Sequence, residues 1–230
     1  MRPRARLPLV ALLLCVTAAV AVPAVDARAP PTPVCGVCDL DRTVSGGEPV
    51  VAGESELTVT VHENGSTTWV ARADLDAGAD ALAANGTLRD AVATEAADDG
   101  VGDPDDIAVR LDGETLVVEY RDPGAAERSV GTVVFTPLTP ASPDMPMVSG
   151  GEGGRYLAAD RLVVRGGSGL DIRGAAPATD ESRPVWTRNV TGDADRPSLD
   201  VERDPVAVEA DALLPGVRAW VARQLVGNTL

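Results

Sequence analysis

Cys35-Gly36-Val37-Cys38 is the most motif-like stretch of this 230-residue sequence. A Cys-x-x-Cys pair at the start of a helix can depress a thiol pKa and support redox chemistry. That geometry needs a strand before the pair and a helix after it. Here prolines precede the pair and Asp39-Leu40-Asp41 follows without helical periodicity. Zinc takes four ligands, so two thiolates would hold the ion only by sharing it with another chain. The favoured expectation is a disulfide of Cys35 and Cys38, local or between chains, in an oxidising compartment. The third cysteine, Cys15, lies in an apolar N-terminal run.

The other chemistry-bearing residues are sparse. His62 is the single histidine, and strand alternation puts it on a polar face beside Glu63, where it reads as a surface side chain. Gly166-Gly167-Ser168-Gly169-Leu170 approaches the Gly-x-Ser-x-Gly nucleophile elbow but carries Leu where the last glycine belongs. It reads as a turn between strands. With His62 expected at the other end of the fold, no Ser–His–Asp triad is expected. The acidic run 98–106 offers oxygen ligands that calcium would accept, yet it lacks the EF-hand spacing and its closing Glu, so a solvated loop is expected. No catalytic, cofactor-binding or metal-binding residue is assigned. Three of the four asparagines, Asn64, Asn85 and Asn189, begin Asn-x-Ser/Thr and are candidate N-glycosylation sites.

Charge and composition narrow the setting. The chain has 35 Asp+Glu against 20 Lys+Arg, a formal net charge of -15, and aromatic residues make up 3%. All the cations are arginine, and Asp outnumbers Glu. A nucleic-acid partner is not expected, because neutralising phosphates takes a basic face. The start, Met1-Arg2-Pro3-Arg4-Ala5-Arg6, an apolar run over 7–22 and small residues beyond it has the form of a secretory signal peptide, assigned to 1–27. The apolar run is short for a membrane span, which needs roughly 20 residues, so no stable span is expected once the leader is cleaved. The adjacent arginine pair of twin-arginine signals is missing, and neither Cys15 nor Cys35 has a lipoprotein context. An exported protein, secreted or on the extracytoplasmic face of the envelope, is expected.

The elements that would position these residues are mostly strands. Alternation predicts strands over 54–61 and 66–72, joined by Glu63-Asn64-Gly65 with Gly65 left-handed, which pairs Val59 with Trp69 and Val61 with Thr67. A helix over 87–97 follows the Asn85-Gly86 interruption. Next come a hairpin of 107–111 and 114–121 about Asp112-Gly113, then a strand over 128–136. Weaker strand signals cover 161–165, 170–173, 185–190, 199–203 and 206–208. The chain closes on a helix over 214–226, with Pro215 at its first position and Gly227 as its stop. Val217, Trp220, Val221 and Leu225 share one face of it, expected to dock on the sheet. The organisation predicted is a leader (1–27), a mobile Pro/Gly-rich tether (28–53), a ββαβββ unit (54–136), a linker (137–154) and a β-rich unit with the terminal helix (155–230), forming one domain or two. The fold class expected is α+β, predominantly antiparallel.

The leader, the Pro-rich Cys-Gly-x-Cys segment, the Asn-Gly hairpin carrying Trp69 and the acidity together resemble uncharacterised secreted proteins of haloarchaea. The likeness covers roughly residues 1–72. It implies adaptation to concentrated salt and brings no activity with it. The functional expectation is a non-enzymatic envelope or surface module acting on an envelope or surface protein partner, without a cofactor. The alternative is a secreted hydrolase using carboxylates only.

Overall fold

Leu57, Val59 and Val61 alternate with Thr58 and Thr60, Trp69, Ala71 and Ala73 alternate with the less buried Val70 and Arg72, and all six are fully buried. The two strands pair antiparallel, with Val59 opposite Trp69 and Val61 opposite Thr67, the register predicted. Gly65 closes the loop at φ +84, a conformation that glycine adopts without strain. Around this hairpin the computed structural model describes residues 30–44, 47–139, 154–180, 183–188, 199, 201 and 203–227. The leader 1–27, most of the linker and Asn189 lie outside the described residues.

In chain order the elements are β1 (Thr32–Pro33), a 3-10 turn (Val37–Asp39), β2 (Asp41–Thr43), β3 (Pro49–Val61), β4 (Thr67–Ala77), α1 (Ala79–Ala84) and α2 (Gly86–Asp98). Then follow β5 (Asp105–Asp112), β6 (Thr115–Asp122), β7 (Ala126–Ser129), β8 (Thr132–Phe135) and β9 (Arg155–Tyr156). The rest is β10 (Arg161–Gly166), β11 (Leu170–Ala175), β12 (Ala178–Asp180), β13 (Arg183–Thr187), β14 (Arg203–Glu209) and α3 (Pro215–Gly227). The protein is α+β with mostly antiparallel sheet. The main sheet runs β12-β13-β10-β3-β4-β6-β5, with β2 also on β3; a second runs β11-β14-β8-β7, and β1 pairs β9. The parallel contacts are β10 on β3 and β1 on β9. Strands from both sides of 137–154 therefore meet in both larger sheets.

Alternation explains the layering. Val133, Phe135 and Ala207 of the second sheet pack with the main-sheet core, while Val134, Val206 and Val208 face a separate cluster with Ala219, Ala222 and Val226 of α3. β8 and the middle of β14 are covered on both faces, so Val133–Phe135 and Val206–Val208 read as short unbroken apolar runs. Trp69 sits at the centre, stacked on Tyr120 and tilted against Phe135, both at 5.7 Å between ring centroids. Asp122, 2% exposed, accepts the amides of Asp103 and Gly124 at 3.0 and 2.9 Å and ties both loops to β6.

Four expectations need correction. The segment 28–53 is not a mobile tether over its described part: Val34, Cys35, Val37, Cys38 and Leu40 are at most 5% exposed. Proline suits short edge strands such as β1, and Gly36 lies so close to α2 that a Cβ there would meet the Ala96 carbonyl at 2.1 Å. The strand predicted over 128–136 is a hairpin, β7 and β8, turning through Val130 and Gly131 at positive φ. The weak signal over 206–208 falls in β14, which begins at Arg203 and whose Pro205 is accommodated at a register shift against β11, while Leu199 and Val201 of the expected 199–203 strand lie outside any strand. Finally, α3 docks through Ala219, Ala222 and Val226, leaving Val217, Trp220 and Leu225 more than half exposed. Small residues let the helix approach the sheet; the large ones point outward.

Candidate interaction face

The inner side of the main sheet is core, so the alternate residues of each strand form its outer side. Backbone pairing aligns them in transverse rows. Arg165 pairs with Thr60, Thr60 with Thr68, and Thr68 with Arg121. Two residues along each strand lies Val163–Thr58–Val70–Glu119–Ala108, and then Arg161–Glu56–Arg72–Val117–Arg110. Adjacent strands lie about 4.8 Å apart, so Arg165 and Arg121 stand roughly 14 Å apart across a threonine floor.

The first row ends on β5 at Asp105, opposite Arg121, so the three rows carry Arg72, Arg110, Arg121, Arg161 and Arg165 against Glu56, Asp105 and Glu119, a local surplus of positive charge on a molecule of net charge -15. Arg161 is neutralised by Glu56 at 2.8 Å and Asp180 at 2.7 Å. Among the described residues the other four arginines form no ion pair, and all four are exposed. Arg165 donates to the Thr60 hydroxyl at 2.8 Å, and Arg121 donates to the Ser66 hydroxyl at 2.8 Å. Uncharged partners hold these guanidiniums while leaving their charge unanswered.

At the open end of the first row lies a cleft of about 540 Å³ lined by His62, Glu63, Asn64, Thr68, Arg121, Gly167 and Ser168. His62 Nε2 lies 2.8 Å from the Thr68 hydroxyl. Partial burial, and then the Arg121 charge, hold the imidazole below its usual pKa of 6.5, which favours the neutral ring. Ser66 donates its hydroxyl to Asn64 Oδ1 at 2.8 Å while accepting from Arg121. The cleft thus joins a neutral imidazole, a guanidinium, hydroxyls and an amide around one carboxylate, Glu63. Such groups bind a carboxylate or other oxyanion through charge-assisted hydrogen bonds.

The glycine-serine stretch is a turn: β10 ends at Gly166, β11 begins at Leu170, and Gly169 has φ +77. The expectation that His62 lies at the other end of the fold is wrong. Pairing of β10 with β3 brings His62 and Ser168 to one cleft. Nevertheless, among the described residues His62 makes no hydrogen bond to Ser168 or to a carboxylate, so the cleft lacks the relay of a triad.

No protein-family model, curated protein or solved structure matches this chain.

The remaining candidates disperse. Cys35 and Cys38 are bonded to each other, 1% and 5% exposed, with the Cys38 amide on Cys35 Sγ at 3.2 Å. Burial denies the pair the access that thiol exchange requires. Asn64 and Asn85 are exposed, and Asn85 caps α2 by accepting the Leu88 amide at 3.1 Å. In the loop 98–106, Asp99 pairs with Arg42 at 2.7 Å, and no group of three or more His, Cys, Asp or Glu among the described residues could hold a metal ion. No helix among them is long and apolar enough to cross a membrane. The sequence signals the arginine rows only through Arg161 and Arg165, which share one face of a strand; the strand order assembles the rest.

Proposed function

We propose that this chain is an exported, salt-adapted surface module that works by interaction, engaging an acidic envelope or surface protein through the arginine rows. One observation carries the reading: four exposed arginines without a described carboxylate partner share one sheet face of a molecule rich in carboxylates. Screening reduces long-range attraction to about 3 Å in 1 M salt. Direct Arg–carboxylate hydrogen bonds, not steering, would then hold the partner. The threonine floor offers further hydroxyls at the same level, and the His62 cleft gives one end of the face a recess for a carboxylate. The salt-adapted and exported parts of the reading rest on composition and on the form of the leader.

Poly-glutamate is the simplest mimic of such a partner. Exposed ion pairs contribute about 0.5 kcal/mol each, so changing Arg72, Arg110, Arg121 and Arg165 to Ser should cost about 2 kcal/mol, roughly a 30-fold loss of affinity. Changing Arg42, Arg173, Arg188 and Arg203, which lie off this face, should cost far less. Equal losses in both sets, or no retention of the parent protein, would overturn the reading. The alternative, a carboxylate-only hydrolase, is favoured by a groove of about 400 Å³ whose lining includes Glu63 and Glu209.

A further inference from the structure

Among the described residues the exposed large apolar side chains are Val130, Leu213, Leu214, Val217, Trp220 and Leu225. All lie on α3, on the loop leading into it, or at the β7–β8 turn beside it, where a Cβ at Gly131 would stand 3.9 Å from Arg218. Leu213 and Leu214 are 81% and 72% exposed and Trp220 62%, although the same helix has already buried its alanine side against β8 and β14. Leu214 and Val130 hold φ of 53 and 51, the left-handed region that costs energy for residues with a bulky Cβ. Among the described residues, two of the three non-glycine residues with such φ therefore carry side chains of this patch.

We infer that α3 is the contact through which the molecule pairs with a second copy of itself, helix against helix and antiparallel. Charge selects this occupant. Residues 212–230 contain no Asp or Glu, and their only charges are Arg218 and Arg223, in a chain with 35 carboxylates. Two strongly acidic bodies approach with least repulsion where neither presents an acid. A lipid surface would need cations not already facing an acid, and both arginines face one, Arg223 the Asp204 carboxylate and Arg218 that of Glu209. Arg223 donates to the carbonyls of Asp204 and Arg173, each at 2.7 Å, and Arg218 lies 3.9 Å from Glu209.

The stripe is also self-complementary, as a two-fold contact requires. An antiparallel pairing centred between Val217 and Val221 sets each Val217 against the other copy's Val221. It sets Leu213 against Leu225 and places each Trp220 one residue from the axis, beside its mate. A 13-residue helix is about 20 Å long. Its face falls at the low end of interfaces, which bury about 800 Å² per partner. The pair is therefore concentration-dependent, and salt strengthens it by screening the two like-charged bodies.

The test is sedimentation equilibrium of the full chain in dilute buffer and in molar KCl, with acrylamide quenching of tryptophan alongside. Trp69 and Trp186 are buried, so the accessible emission belongs to Trp220. In molar salt the mass should rise with concentration from 23.6 kDa toward twice that value, and Trp220 should become protected. Trp220→Glu and Val217→Glu should each stay monomeric while unfolding at the parent temperature, because both sites are exposed. A parent that is monomeric at every concentration and salt, or variants that still dimerise, would overturn the inference. So would parent protein that floats with phosphatidylcholine vesicles and loses flotation on Trp220→Glu, which would make lipid the occupant.

Discussion

His62 shows how a single side chain can be placed correctly and yet misjudged. Alternation put it on the polar side of β3, where it lies, but its neighbours Gly167 and Ser168 arrive from about a hundred residues away through β10. No local pattern encodes that proximity. Asn85, read only as an interruption and a glycan acceptor, caps α2, a position that its residue type favours. Because burial and Arg121 lower the imidazole pKa, the unfolded chain binds a proton at higher pH than the folded one. Stability contributed by neutral His62 is therefore complete well above pH 6.5 and is lost as pH falls from there through the folded pKa. The single His resonance should titrate below 6.5 by NMR, with midpoint denaturant concentration falling as pH is lowered through that window. A titration at or above 6.5 would contradict the packing assigned to the cleft.

Elements were legible where one face is wet. The β3–β4 register followed from alternation and the Asn-Gly turn, and β6 from the Asp112-Gly113 turn before it. The second hairpin closes one residue later than expected, pairing Asp112 with Thr115, because a turn signal marks the neighbourhood of a loop better than its register. Helix α3 has apolar residues on more than one side, and periodicity pointed to the large ones; fit over Val134, Val206 and Val208 chose the alanines instead. The Cys35–Cys38 segment hid its burial behind prolines. Its disulfide closes a loop of four residues, and the chain-entropy relation gives such a crosslink about 2 kcal/mol of stability. Cys35→Ala with Cys38→Ala should lower urea stability by about that amount, plus the lost packing. Alkylation of the untreated native protein should label neither cysteine. Unchanged stability would mean that the segment is not part of the core.

At the level of the molecule, patterning announced an α+β protein and composition a strongly acidic one, but composition averages over faces. The sum of -15 conceals a sheet side on which arginines outnumber acids and a terminal stretch with no acids. Both features arise from strand order and helix docking, which hydrophobic alternation does not specify. Two distinct surfaces, one cationic and polar, one apolar, would let a self-paired module present two arginine faces to one acidic partner. The most direct test of this account is NMR shift mapping of the protein titrated with oligo-glutamate. Perturbed amides should concentrate at Thr58, Thr60, Thr68, Arg72 and Arg121 and saturate together. Perturbations scattered over the molecule, or centred away from the main sheet, would contradict it.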